Sequence, residues 1–232
     1  MKIIVLIKPI PELSGVKVSR GQGQVFETEK RVINSWDRSA LQLAVDLKQA
    51  HGGAVTAISL CRAEDAHILR EAYAIGADQC YQLTDPQFVS NDAYVNAKVL
   101  SRAISRLQPF DLILCGAKSD VGFCGQTGPR IAEALNLPQA TGVLSLSVQP
   151  DFVTAASKIN GKIYERRLTL PALLTVEQSI RQPRIPNAMM VMKAYKKEII
   201  VWNADALGFH VSEIGTEGAL TKVYSQYLAE AI

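Results

Sequence analysis

Three short apolar runs constrain this chain more than anything else in it: IIVLI at 3–7, AVTAISL at 54–60 and DLILCG at 111–116. Runs of this length without polar alternation read as strands covered on both faces, and the first of them as a central strand. Between them lie stretches with helical spacing. Ala40, Leu41, Ala44, Val45 and Leu47 mark a helix over 37–49, with Asp37 as its expected N-cap and Gly52-Gly53 as its stop. Ile68, Leu69 and Ala72 mark a second over 64–75, closed by Gly76, and a short strand QCYQL follows at 79–83. Tyr94, Ala97, Ile104 and Leu107 mark a third helix over 91–107. Strand and helix alternating in this rhythm predict parallel strands joined by right-handed crossovers, an α/β fold.

Around that frame, residues 15–33 alternate apolar and polar about Gly21 and Gly23, the pattern of a β-hairpin. A helix is expected over 127–136, with Pro129 in its first turn and Ile131, Ala132 and Leu135 inward. Strands are expected near 142–148, 152–158, 162–169 and 172–176, the middle two turning at Asn160-Gly161. After Val176 the character changes: Pro183 and Pro186 are followed by Met189, Met190 and Met192 and then by Lys193, Lys196 and Lys197, read as an exposed loop entering a short basic helix and a strand. Residues 1–202 are therefore expected as one nucleotide-binding α/β domain, and 203–232 as a linker and helical arm. Val223, Tyr227 and Leu228 of that arm would need another surface to cover.

The 232 residues suffice for one large domain with its own core. A formal charge of +3 gives no argument for nucleic acid. Cys61, Cys80, Cys115 and Cys124 contain no Cys-x-x-Cys pair and are expected as buried, reduced thiols. The first apolar run is too short for a membrane span or signal peptide, which gives a cytoplasmic protein without membrane insertion as the expectation. His51, His67 and His210 form no cluster by sequence, and neither a Gly-x-Ser-x-Gly elbow nor a Walker lysine is present. No catalytic constellation is visible.

What remains is GAKSDVGFCGQTGPRIAEAL at 116–135, directly after an apolar strand and opening a helix. Glycines at 116, 122, 125 and 128 let backbone approach a ligand, the amides at the helix start favour phosphate, and Gln126 and Thr127 add side-chain donors. Tight strand-to-helix turns also use glycine for geometry alone.

Gly116, Gln126-Thr127-Gly128 and Leu137-Pro138-Gln139-Ala140-Thr141 together resemble the β subunits of electron-transfer flavoproteins, including the FixA-like bacterial members. Lys8 after the first strand, Asn34-Ser35-Trp36-Asp37, Gly76-Ala77-Asp78 and Pro183-Arg184-Ile185-Pro186 extend the resemblance, in order, over residues 1–202. It implies a Rossmann-like (adenine nucleotide α-hydrolase-like) parallel sheet flanked by helices, with added hairpins and a C-terminal arm. It further implies AMP, or a second FAD in bifurcating members, held in this chain, and a larger α subunit carrying the redox FAD. Nucleotide contacts implied are Leu6, Asn34, Asp37, Leu60, Gly116, Asp120, Gly122, Gly125, Gln126 and Thr127. Residues Arg184, Ile185, Pro186, Ala188, Met189 and Met190 would dock acyl-CoA or other flavin dehydrogenases, the whole of 184–192 acting as a loop. Two departures stand out: Val121, Gly122, Phe123 and Cys124 occupy positions where many members carry acidic residues, and Ala188 stands where a leucine is frequent. The competing expectation is a free-standing adenine-nucleotide-binding protein of the universal-stress type, whose Gly-x2-Gly-x9-Gly-[Ser/Thr] loop is missing here.

Overall fold

The apolar runs lie side by side at the middle of one sheet. In the computed structural model, which describes residues 1–19, 24–26, 28–89 and 92–221, β1 (Lys2–Leu6) is flanked by β6 (Ala54–Leu60) and β8 (Leu112–Gly116), both parallel to it. β7 (Gln79–Leu83) and β13 (Ile200–Trp202) extend the sheet on one side; β12 (Ala172–Val176), β9 (Gln139–Val148), β10 (Phe152–Ile159) and β11 (Lys162–Thr169) extend it on the other. The order is β11-β10-β9-β12-β8-β1-β6-β7-β13, and β10 alone runs against the rest. Between β1 and β6 the chain makes a ribbon: β2 (Pro9–Pro11) pairs with β5 (Arg31–Ile33), and β3 (Lys17–Ser19) with β4 (Gln24–Phe26). The expected hairpin is thus two ladders, with residues 20–23 and 27 outside the described set.

Helices cover both faces because the inner strands are apolar on both. Helices α1 (Ser35–His51) and α2 (Ala66–Ile75) close one core around Ile3, Val5, Leu41 and Leu69. Helices α3 (Ala93–Ser105) and α4 (Thr127–Ala134) close the other around Ile4, Ile58, Ile113 and Ile131. The doubly wound α/β class is as expected. The chain moves outward from β1 through β6 to β7, then returns to the other side of β1 with β8, so the strand order reverses between β1 and β8. In such sheets ligands bind outside the carboxyl ends of the strands at this reversal.

Several local expectations are corrected. Asp37 is not the N-cap of α1: Asn34 is, and Asp37 lies buried inside the first turn. The helix starts earlier because the Asn34 amide is held by the Lys8 carbonyl at 3.0 Å and Asp120, from a distant loop, accepts from the Ser35 amide. In α3 the Asp92 carboxylate caps the Tyr94 and Val95 amides, which turns Tyr94 outward and puts Val95, Val99 and Leu100 inside. Cys80 and Cys115 are buried, but Cys124 is exposed. Finally, 203–221 is not a bare linker. Helix α6 (Ala204–Leu207) and the turn after it bury Ala204, Leu207, Phe209 and Ile214 in the second core. The expected arm, with Val223, Tyr227 and Leu228, lies outside the described residues.

Candidate functional site

At the reversal, the carboxyl ends of β1 and β8 are joined by one side chain. Asp37, on the first turn of α1, accepts the Lys8 amide at 2.9 Å on one carboxylate oxygen and the Gly116 amide at 2.8 Å on the other. It is 5% exposed, and burial pushes its carboxyl up to about 6, opposed by those two amides, by Asn34 and by the Lys8 charge. Gly116 is required by the closeness of this junction: a Cβ there would come within 2.5 Å of the Trp36 Cβ and 2.7 Å of an Asp37 oxygen.

From Gly116 the chain enters the glycine-containing loop, and α1 holds its first half. Buried Asn34 donates from Nδ2 to the Lys118 carbonyl at 2.9 Å and accepts the Asp120 amide on Oδ1 at 3.0 Å. Asp120 in return accepts from the amide and hydroxyl of Ser35, at 3.1 and 2.7 Å. Lys8 Nζ donates to the Val121 carbonyl at 3.1 Å. Asp120 therefore has its carboxylate committed to the N-terminus of α1, where the helix dipole favours it. The side chains of Asn34, Asp37 and Asp120 shape the loop: both polar atoms of Asn34, both oxygens of Asp37 and one oxygen of Asp120 are engaged within the protein.

The second half of the loop is exposed and returns to the start of α4. Gly122, Phe123 and Gly125 take φ of 92°, 49° and 61°, the left-handed region in which glycine is at ease and phenylalanine is not. Phe123 rests edge-on against Trp36, with ring centroids 5.9 Å apart at 83°, and the Trp36 indole N–H donates to Glu177 at 3.3 Å. The amides of Gly125, Gln126, Thr127 and Gly128 donate to no acceptor among the described residues. Gln126 Oε1 accepts from Arg130 at 3.1 Å, one turn along the helix. Unpartnered amides at a helix start, with cations on Lys8 and Arg130 nearby and the one loop carboxylate, Asp120, drawn toward Ser35, fit a phosphate group.

Leu6 and Leu60 sit at the carboxyl ends of β1 and β6, flanking this junction. Leu6 is buried in the second core and Leu60 is half-buried against it. The sequence reading missed Ser35 as the ligand of Asp120; a hydroxyl directly after the Asn34 cap was the available signal. A shallow cleft of about 380 Å³ also lies beside α1, lined by Ser35, Arg38, Gln178 and Arg181, on the flank of the loop rather than at its amides. The buried Ser39 in its lining already donates to the Gln178 carbonyl at 2.9 Å, and the cleft lies away from the unpartnered amides, which makes it the weaker candidate.

The proline-bracketed segment does not form one loop. Asn187 caps the Met190 amide at 2.9 Å and starts α5 (Ala188–Tyr195), so Ala188, Met189 and Met190 are helical and only Arg184, Ile185 and Pro186 remain extended chain. Ile185 is 93% exposed, and Met189, Met190 and Met192 are exposed as well, while Ala194 alone of the helix is buried. These methionines do not fill the core.

Among the described residues no group of three or more His, Cys, Asp or Glu could hold a metal, and no helix is long and apolar enough to cross a membrane. A family model described as the electron transfer flavoprotein domain matches residues 23–207. The chain is 36% identical over 225 residues to the electron transfer flavoprotein subunit beta of Thermoanaerobacterium thermosaccharolyticum, covering 96% of this chain and 86% of that one. With the subunit of the same name from Megasphaera elsdenii it shares 31% over 231 residues, covering 96% and 86%. With subunit CarD of the caffeyl-CoA reductase-Etf complex of Acetobacterium woodii it shares 27% over 229 residues, covering 98% and 87%. These matches do not favour a free-standing universal-stress-type protein.

Proposed function

We propose, from the premise that this chain belongs to the electron transfer flavoprotein family as one of its β-type subunits, that it binds an adenine nucleotide at the junction of β1, β8 and α4. The observation that carries this reading is the run of Gly125, Gln126, Thr127 and Gly128 amides without protein acceptors at the start of α4, on a loop held by Asn34, Asp37 and Asp120. AMP is the ligand we favour, its phosphate on those amides and its adenosine extending toward Leu6 and Leu60. FAD presents the same adenosine phosphate and is the other occupant of this chemistry.

No residue of this chain acts on a substrate in this reading. The redox flavin, carried with an α-type subunit, would supply one- and two-electron chemistry when bound. This chain's residues hold the nucleotide, fix the loop and present a docking surface. Ile185, Met189 and Met190 form that surface: flexible thioether side chains, exposed on a helix anchored at its other end by Arg70 to the Ala194 carbonyl at 3.0 Å, suit an apolar recess on a flavin dehydrogenase.

The test is to co-express the chain with its α-type partner, purify the complex, release the bound small molecules with acid and identify them by mass spectrometry. About one adenine nucleotide per β chain beyond the partner's flavin is expected. A complex without any nucleotide beyond that flavin, which also takes up no AMP or FAD on addition, overturns the site.

A further inference from the structure

We propose that Phe123 and Trp36 form a latch that presets the nucleotide loop, which makes Phe123 a positioning residue for nucleotide affinity; this rests on the nucleotide site proposed above. The two halves of the loop are held very differently. Residues 118–121 are tied to α1 and Lys8 by five hydrogen bonds, through Asn34, Ser35 and the Lys8 ammonium. Beyond Val121 no such tie exists among the described residues. Cys124 Sγ reaches only the Gly122 carbonyl two residues back, and the edge-on contact of Phe123 with Trp36 is what joins this half to α1.

Phe123 is also an improbable residue for its backbone. At φ 49° it occupies the left-handed region directly after Gly122, a conformation that a bulky side chain adopts only when its surroundings hold it there. Phe123 is 58% exposed, so core burial is not the reason; its perpendicular contact with the Trp36 ring is. Trp36 is itself fixed, by its indole N–H to Glu177 and by the close approach of its Cβ to Gly116. A Cβ at Gly125 would lie 2.9 Å from the Ala117 carbonyl, so the half-loop closes back on its own beginning just before the free amides. Released from Trp36, the segment 122–126 would swing at Val121 and Gln126. The nucleotide would then have to order the Gly125–Gly128 amides as it binds, at a cost to affinity.

Trp36 and Trp202 are the two tryptophans of the chain, and Trp202 packs on Tyr81 at the edge strand, ring centroids 4.6 Å apart. A Trp202→Phe background therefore leaves Trp36 as the sole indole reporter. In the full chain, AMP (or FAD, by calorimetry alone, should AMP not bind) is titrated into the background and into the same protein with Phe123→Ala or Phe123→Tyr. The expected result is a saturable change in Trp36 emission that tracks calorimetric binding. Phe123→Ala should give a red-shifted indole before ligand is added and about three- to tenfold weaker binding at an unchanged melting temperature, with Phe123→Tyr close to the parent. Undiminished affinity in Phe123→Ala overturns the latch and leaves the nucleotide site standing. Weakened affinity without any change at Trp36 overturns it too, because Phe123 would then act on something else. Binding of neither AMP nor FAD to the parent overturns the site, and the latch with it.

Discussion

Asp37 carries the junction of β1 and β8, and its ionisation gives that junction a pH dependence of unusual sign. Burial, the largest influence, lifts the carboxyl to about 6, against an ordinary value of 3.8. The folded chain thus binds this proton more tightly than the unfolded chain does. The resulting stabilisation is complete below pH 3.8 and is lost as pH rises through 6. Other carboxylates with favourable partners, such as Glu213 held low by the His210 amide and Lys98, act in the opposite direction. Isolating Asp37 requires a difference measurement. The loss of unfolding free energy caused by Asp37→Asn should be larger at pH 4.5 than at pH 7.5, by about 2 kcal/mol, in urea titrations of both proteins. A loss that is instead larger at pH 7.5 means that the two amide donors outweigh burial.

Among the elements, α5 separates stability from contact. Its attachment lies at its C-terminal end, where Ala194 is buried and Arg70 donates to the Ala194 and Lys197 carbonyls. Its first turn projects Met189 and Met190 into solvent. Replacing both by Asp should leave the melting temperature within about 2 °C of the parent, since exposed substitutions away from caps and cores cost little. Asp is also acceptable in a helix's first turn, where the dipole favours it. Dehydrogenase-coupled flavin reduction by the assembled complex should fall by about tenfold or more if these residues are anchors of the docking surface. Normal reduction rates would return the helix to a purely structural role.

Across the whole molecule, the C-terminal segment belongs to the domain that precedes it. Lys98 and Arg102, one turn apart on α3, and Arg106 just past its end reach over it: Lys98 pairs with Glu213 at 3.1 Å, Arg102 lies 4.8 Å over the Phe209 ring, and Arg106 donates to the Ala206 carbonyl. At its end the Thr221 amide donates to Asp92, the cap of α3. Truncation after Trp202 should therefore do more than remove an arm. It uncovers the second core where Leu207, Phe209 and Ile214 were buried, and should lower unfolding free energy by several kcal/mol, on the scale of about 2–5 for each large core side chain lost. Truncation after Thr221 keeps those contacts and should retain more unfolding free energy than truncation after Trp202. Denaturation curves of the two truncations decide the matter, and sedimentation of each with the α-type subunit shows whether residues 222–232 serve assembly.

Local sequence determined the parts that depend on local physics. Apolar runs at 3–7, 54–60 and 111–116 became the central strands because unalternating hydrophobicity is stable only between two covered faces. The loop at 116–127 and its helix were legible because a strand, spaced glycines and Pro129 at a helix start leave few other readings. Only the tertiary structure decided what the polar residues of the site do. Asn34, Asp37 and Asp120 read as ligand contacts in sequence; folding also gives each of them a partner about eighty residues away, through which they hold the loop against α1. The same holds for 203–221, read from sequence as linker, whose Leu207, Phe209 and Ile214 fold into the core beside α3. A side chain's chemistry is written in the sequence, but its partner depends on which strands the crossovers bring together, and that choice is made by the packing of the whole sheet.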